Sequence, residues 1–229
     1  MVTFDVENLW SISLFGFEVW ITQTIVNTWI VMLLIAVAAI ILRIAMGRAK
    51  EKPSGIQNVM ELIVEASDGF VENMGGQGSK FVSGWFFAVF TFVLISNLSA
   101  LFGFRPPTAD FATTFALAFA TFFLIQVSGV RGQGISYFKS YFQPIFIMFP
   151  LNLIGELSKP ISLSFRLFGN LLSGLIMMTL VYALLPTPLL FGLPMFLHAF
   201  FDVAMGVLQA YIFCALSLAF IGAASSTEG

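Results

Sequence analysis

Charge is what this 229-residue chain has least of: ten Lys and Arg stand against twelve Asp and Glu, only 10% of the sequence, for a net charge of -2. The basic residues are scattered, which excludes a nucleic-acid surface and a polybasic lipid-binding tail. A single cysteine, Cys214, excludes an internal disulfide and reads as a small apolar helix residue. GlyGlyGlnGly at 75 to 78 lacks the Lys and the Ser or Thr of a phosphate-binding loop, so nothing suggests nucleotide binding. The halves of the chain show no internal repeat of the kind secondary transporters carry. No basic segment precedes the first apolar run, which starts near Phe17 after Asp5 and Glu7, so a cleaved signal peptide is not expected.

What the chain does have is apolar bulk: 59% hydrophobic residues and 28 Phe, with a mean hydropathy of +0.96. That balance belongs to an all-α polytopic membrane protein. A helix needs roughly 20 residues to cross about 30 Å of hydrocarbon. Five stretches are long enough, at 22–46, 81–104, 111–129, 142–184 and 194–223. We expect them to form one membrane domain covering 1–229, with the last two helices long and tilted. The fourth stretch is about twice the necessary length; it either tilts steeply or breaks at Pro144, Pro150 or Pro160, where the chain loses a backbone donor.

Arg43, Arg48, Lys50 and Lys52 follow the first span and Arg131 and Lys139 the third, whereas the first twenty residues and the loop 186–194 contain no basic residue. The positive-inside rule then places the N-terminus outside and the C-terminus in the cytoplasm, with Arg105 as the one exception. Between the first two spans, 54–74 reads as an amphipathic interfacial helix. Glu61, Glu65, Asp68 and Glu72 line one face, and Val59, Leu62, Ile63, Ala66 and Phe70 the other. An acidic face is repelled by anionic headgroups, so it is either a solvated face or a surface for a basic protein partner.

Polar residues recur at helical spacing inside the last two spans. At 100° per residue, Glu156, Lys159, Ser162, Arg166, Asn170 and Ser173 share an arc of about 120°. His198, Asp202 and Gln209 are four and seven residues apart and fall on one face. Arg166 is the most demanding of these. A guanidinium does not deprotonate in a protein, and at the bilayer centre it costs at least about 2.5 to 3.5 kcal/mol. Each position also has a structural alternative. Glu156 and Lys159 suit an intrahelical ion pair, and Asn170 and Gln209 suit interhelical hydrogen bonding. His198 suits an outer interface, and Arg166 suits a structural pair with Glu156 or Asp202. Asp202 has no basic residue near it in sequence, which makes it a candidate proton carrier.

SerLysProIleSerLeuSerPheArgLeuPheGlyAsn at 158–170, followed by LeuGlnAlaTyrIlePhe at 208–213, closely resembles the signature of subunit a of F-type ATP synthases, a likeness that covers essentially the whole chain. The resemblance implies a stator protein of the cell membrane, lying against a ring of c subunits that each carry a membrane-embedded carboxylate. It also implies peripheral-stalk b subunits as partners, the acidic helix at 54–74 being the candidate contact. Arg166 matches the family's essential arginine, and Asn170 and Gln209 match the polar positions that flank it. Asp202 matches an ionisable position of the outer half-channel, whose usual partner position, nine residues after the arginine, is here Leu175. His198 is the candidate substitute. Glu156, moderated by Lys159, and Ser173 complete the expected ion pathway. No cofactor, metal or nucleic acid is implied, and the coupling ion is either proton or sodium. The competing class is an independent channel or secondary transporter using Arg166 as its ion or substrate site.

Overall fold

The computed structural model describes residues 8–14, 17–46, 55–76, 79–142, 145–186 and 192–226. Asp5, Glu7, Arg48, Lys50, Lys52, Ser54, Gln77, Gly78, Pro144 and most of the loop at 186–194, each used in the sequence reading, lie outside them. Strands β1 (Asn8–Leu14) and β2 (Phe17–Thr22) pair antiparallel, with Leu14 opposite Phe17 and an irregularity between Asn8 and Trp10. The helices are α1 (Gln23–Met46), α2 (Ile56–Gly75), α3 (Ser83–Leu98), α4 (Phe111–Gln133), α5 (Ser136–Ser140), α6 (Phe149–Leu184), α7 (Leu193–His198) and α8 (Met205–Ser225). A six-residue π-helical segment, Ala199–Ala204, joins α7 to α8. Among the described residues the hairpin is the only sheet. Five helical stretches are long and apolar enough to cross a membrane: Gln23–Ile44, Ser79–Phe102, Phe111–Gln133, Phe146–Leu184 and Leu193–Ser225.

From Phe149 onward the fourth stretch is one continuous helix, through Pro150 and Pro160, while Pro144 lies outside the described residues. Pro150 stands in the first turn of α6, where its missing donor has no intrahelical partner to lose. Pro160 lies inside the helix and deprives only the Glu156 carbonyl of its usual amide. At about 1.5 Å per residue the 36 residues of α6 measure about 54 Å, well beyond the hydrocarbon thickness.

The chain divides into two compact units. The first comprises Met1–Ala38, Thr91–Thr114 and Phe165–Ala210. At its centre Asn97, almost wholly buried, donates to the Gly206 carbonyl at 3.0 Å and accepts from the Thr108 hydroxyl at 2.8 Å. Gly206 is needed for that approach: a Cβ there would lie 3.1 Å from the Asn97 Cβ. Val93, Leu167 and Ala210 of this unit are fully buried, Phe111 packs against Phe165 at a tilt and against Phe168 edge-on, and Asn27 donates to the Arg105 carbonyl at 2.9 Å.

The second unit comprises Ala39–Phe90, Phe115–Ser164 and Tyr211–Gly229. Its core is Val71, Val82, Phe86, Ile125, Leu163, Phe213, Leu218 and Ile221. Here α2 and α8 meet through small residues, since a Cβ on Gly222 would lie 3.2 Å from the Gly75 carbonyl oxygen. The end of α2 is further tied by Ser79 to the Val71 carbonyl, by Ser83 to Asp68 and by Lys80 to Glu72. Over its earlier turns the helix is open on both sides: Val59, Leu62, Ile63 and Val64 are exposed along with Glu61 and Glu65. Among the described residues the apolar face read from the sequence is covered near Phe70, which packs on Tyr211.

Candidate functional site

Arg166 stands at the midpoint of α6. Its neighbours Leu163, Ser164 and Leu167 turn inward and are buried, which leaves Phe165, Arg166 and Gly169 on the exposed side of the helix. Among the described residues Arg166 enters no ion pair: Glu156 is held by Lys159, and Asp202 by His198. One turn on, the Asn170 side-chain amide donates to the Gln209 Oε1 at 3.2 Å, tying α6 to α8. Gln209 is buried, and its Nε2 has no partner among the described residues. Ser173 is exposed and donates back to the Asn170 carbonyl at 2.8 Å, the usual accommodation of a serine inside a helix. Gly169 has open space where a side chain would stand.

Further along the first unit, α6 and α7 meet through polar atoms. The His198 Nδ1 is 2.5 Å from the Asp202 Oδ2, and the His198 Nε2 is 3.1 Å from the Tyr182 hydroxyl. A carboxylate can only accept, so the neutral ring carries its proton on Nδ1 and accepts from the tyrosine at Nε2. Asp202 lies within the π-helical segment, the kind of local irregularity that recurs at functional positions. A cavity of 370 Å³ beside the ring is lined by Leu101, Met195, His198, Ala199 and Val203.

The second unit holds a separate polar cleft of 530 Å³, lined in part by Tyr137, Tyr141, Asn152, Glu156 and Lys159. Lys159 pairs with Glu156, three residues before it, and sits 5.4 Å over the Phe220 ring. Gln126 donates to the other Glu156 oxygen at 3.4 Å, and the Tyr141 hydroxyl donates to Gln126 at 3.2 Å. Burial, then the Tyr141 hydroxyl and the Glu156 charge, push the Tyr137 phenol far above its ordinary range. Burial likewise raises that of Tyr141. Both hydroxyls therefore stay neutral, and the cleft offers a compensated ion pair framed by hydroxyls and amides.

Two of the sequence candidates are thus brought into contact across helices, Asn170 with Gln209, and four within one stretch, Glu156 with Lys159 and His198 with Asp202. Sequence reasoning missed Tyr182, Gln126 and Tyr141. The four-residue spacing of Tyr137 and Tyr141 was a usable signal, as was a hydroxyl-bearing Tyr182 at the end of an apolar run. Among the described residues no three His, Cys, Asp or Glu side chains gather as a metal site would need.

Long apolar helices carrying polar contacts define an all-α polytopic membrane protein. Residues 25–222 match the family described as ATP synthase A chain. The chain is 38% identical to the ATP synthase subunit a of Moorella thermoacetica over 207 residues, 88% of this chain and 89% of that one. It is 36% identical to the subunit a of Nitrosospira multiformis over 218 residues, covering 94% and 84%. With ATP synthase subunit a 2 of Acaryochloris marina it shares 32% over 229 residues, covering 99% and 94%. The chain belongs to the ATP synthase A chain family.

Proposed function

We propose that this chain is the ion-translocating stator subunit of a rotary F-type ATP synthase. In this role it lies against the c-subunit ring, is held by the peripheral-stalk b subunits and carries no nucleotide site of its own. The single observation that carries this role is Arg166: a permanent cation at the midpoint of a membrane helix, exposed and without a counter-charge among the described residues. A cation left open there at a cost of at least about 2.5 kcal/mol calls for a carboxylate from another chain. Two unit charges 4 Å apart at an effective dielectric of 20 attract by about 4 kcal/mol. That holds an arriving ring carboxylate ionised, so that it releases its ion, yet lets the ring move on. Gly155 and Gly169, with open space beside them, suit the close approach of a partner helix on the exposed side of α6.

On this reading Tyr182, His198 and Asp202 belong to the outer half-channel and the cleft around Glu156 and Lys159 to the inner one. Asn170, Ser173 and Gln209 flank the cation. The residues 1–229 act as one domain of the plasma membrane, N-terminus outside and C-terminus in the cytoplasm. The exposed acidic face of α2 serves the peripheral stalk. The test is ATP-driven ion pumping in vesicles reconstituted with the whole complex, intact or carrying Arg166→Ala. Coupled transport is expected to vanish in the variant; if it persists, the stator role fails and the transporter class returns.

A further inference from the structure

We propose that the connection between α4 and α6 is a lipid-binding surface, which sinks Ile135, Phe138, Phe142, Phe146 and Ile147 into the boundary between headgroups and acyl chains. The stator role does not enter into it, and a connection embedded in lipid would stand even if that role failed.

Three observations carry it. Chain continuity holds the connection at the bilayer surface, because the stretch that ends at Gln133 and the one that begins at Phe146 are both of bilayer length. Its inner side is pinned. Tyr137 is buried and lies so close to α4 that a Cβ on Gly129 would stand 2.5 Å from its ring. Its hydroxyl meets that of Tyr141 at 2.8 Å, and Asn152 of α6 donates to the Tyr141 carbonyl at 2.9 Å. The outer side is bare hydrocarbon: Ile135 is 88% exposed, Ile147 79% and Phe146 74%, with Phe138 and Phe142 exposed as well. Phe142 stacks on Phe146 and Phe149, ring centroids 5.5 and 4.5 Å apart, which joins the two ends of the patch.

This is the reverse of a loop built for water. Rings that bear hydroxyls are turned in, and rings and branched chains without a polar atom are turned out, an arrangement that costs free energy in water and gains it among acyl chains. The charges agree. From Phe111 to Gly155 the sequence holds no Asp or Glu, and its basic residues are Arg131 and Lys139, both exposed. Arg131 closes α4 with its guanidinium 4.3 Å over the Phe81 ring, and Lys139 follows Phe138 directly. Their stems can run along apolar chains while the cationic ends reach lipid phosphates, and no carboxylate in the stretch repels those phosphates. A second protein could also cover the patch, but continuity brings it to the bilayer whether or not another subunit is present.

The experiment is site-directed spin labelling of the whole complex in vesicles of phosphatidylcholine and phosphatidylglycerol. Ile135→Cys, Phe138→Cys and Ile147→Cys are made singly in a subunit carrying Cys214→Ala, within a complex otherwise free of cysteine, and co-purification confirms that each labelled subunit is assembled. Collisions with oxygen, which concentrates in hydrocarbon, are compared with those of a water-soluble nickel chelate, and depth is calibrated with spin-labelled lipids. Labels at the three positions are expected to favour oxygen and to lie about 5 to 10 Å into the headgroup and acyl boundary. A fluorophore on the same cysteines is expected to be quenched by lipids brominated on the acyl chains. Lipid binding by this surface is overturned if the labels favour the nickel chelate, as a water-facing loop would, or are shielded from both reagents and from brominated lipid, as under a neighbouring subunit. Pumping by Arg166→Ala is a separate result, which bears on the stator role and not on this surface.

Discussion

Asn170 and Gln209 give the sharpest test of how the two long stretches hold together, because their contact is unequal on its two sides. Gln209 is only 4% exposed, accepts one hydrogen bond at Oε1 and leaves Nε2 without a partner among the described residues. Asn170, the donor, is half-buried. Asn170→Leu strips the buried amide of its remaining partner, at a cost of about 1 to 3 kcal/mol. Gln209→Leu removes that amide altogether, including the unsatisfied nitrogen, and is expected to cost less than about 1 kcal/mol. The double substitution replaces a polar pair by an apolar one and should fall short of the sum of the singles by about 0.6 to 1.7 kcal/mol. Reversible unfolding of the purified chain in lipid bicelles, titrated with SDS and followed by circular dichroism, measures all three. The reasoning is refuted if Asn170→Leu is no more destabilising than Gln209→Leu, or if the two effects add within about 0.3 kcal/mol.

Two further expectations come from the second unit. The Tyr137 phenol is raised by burial, so the folded state resists its ionisation; this contribution is intact below the ordinary phenol range of about 10 and is lost as pH climbs beyond it. Unfolding followed from pH 8 to 12 should show that loss in the intact chain and a smaller one in Tyr137→Phe. Gly132→Ala would set a Cβ 2.5 Å from the Ser225 carbonyl oxygen, a backbone atom that cannot swing aside. Destabilisation of about 1 to 3 kcal/mol is expected in the same bicelle assay, whereas Gly134→Ala, where no atom lies within 4 Å, should lose only what its positive φ costs, about 1 kcal/mol.

The five bilayer-length helices were legible because hydrocarbon thickness imposes a length that composition alone meets. The hairpin was not read, although Trp10, Ile12 and Leu14 alternate with Ser11 and Ser13 and only two residues, one of them Gly16, separate the runs. Continuity through Pro160 could not be chosen from sequence, since a missing donor permits either a break or a helix that simply does without it. At the candidate site, spacing brought out Arg166, Asn170 and Gln209, but cross-helix partners such as Tyr182 for His198 and Gln126 for Glu156 lie sixteen and thirty residues away, beyond any periodicity. The pairing of Asp202 with His198, four residues earlier, was within reach of helical spacing; the π-helical turn that carries the aspartate was not.

That turn acts as a phase shifter. A π-helical turn takes up about one residue more than an α-helical one, so the stretch behaves as two α-helices whose faces are offset by about 100°. His198, ahead of the offset, can address Tyr182 while Gln209, behind it, addresses Asn170. Deleting one residue between Ala199 and Ala204 would bring the two halves back into step, and one of these contacts would then have to be given up to keep the other.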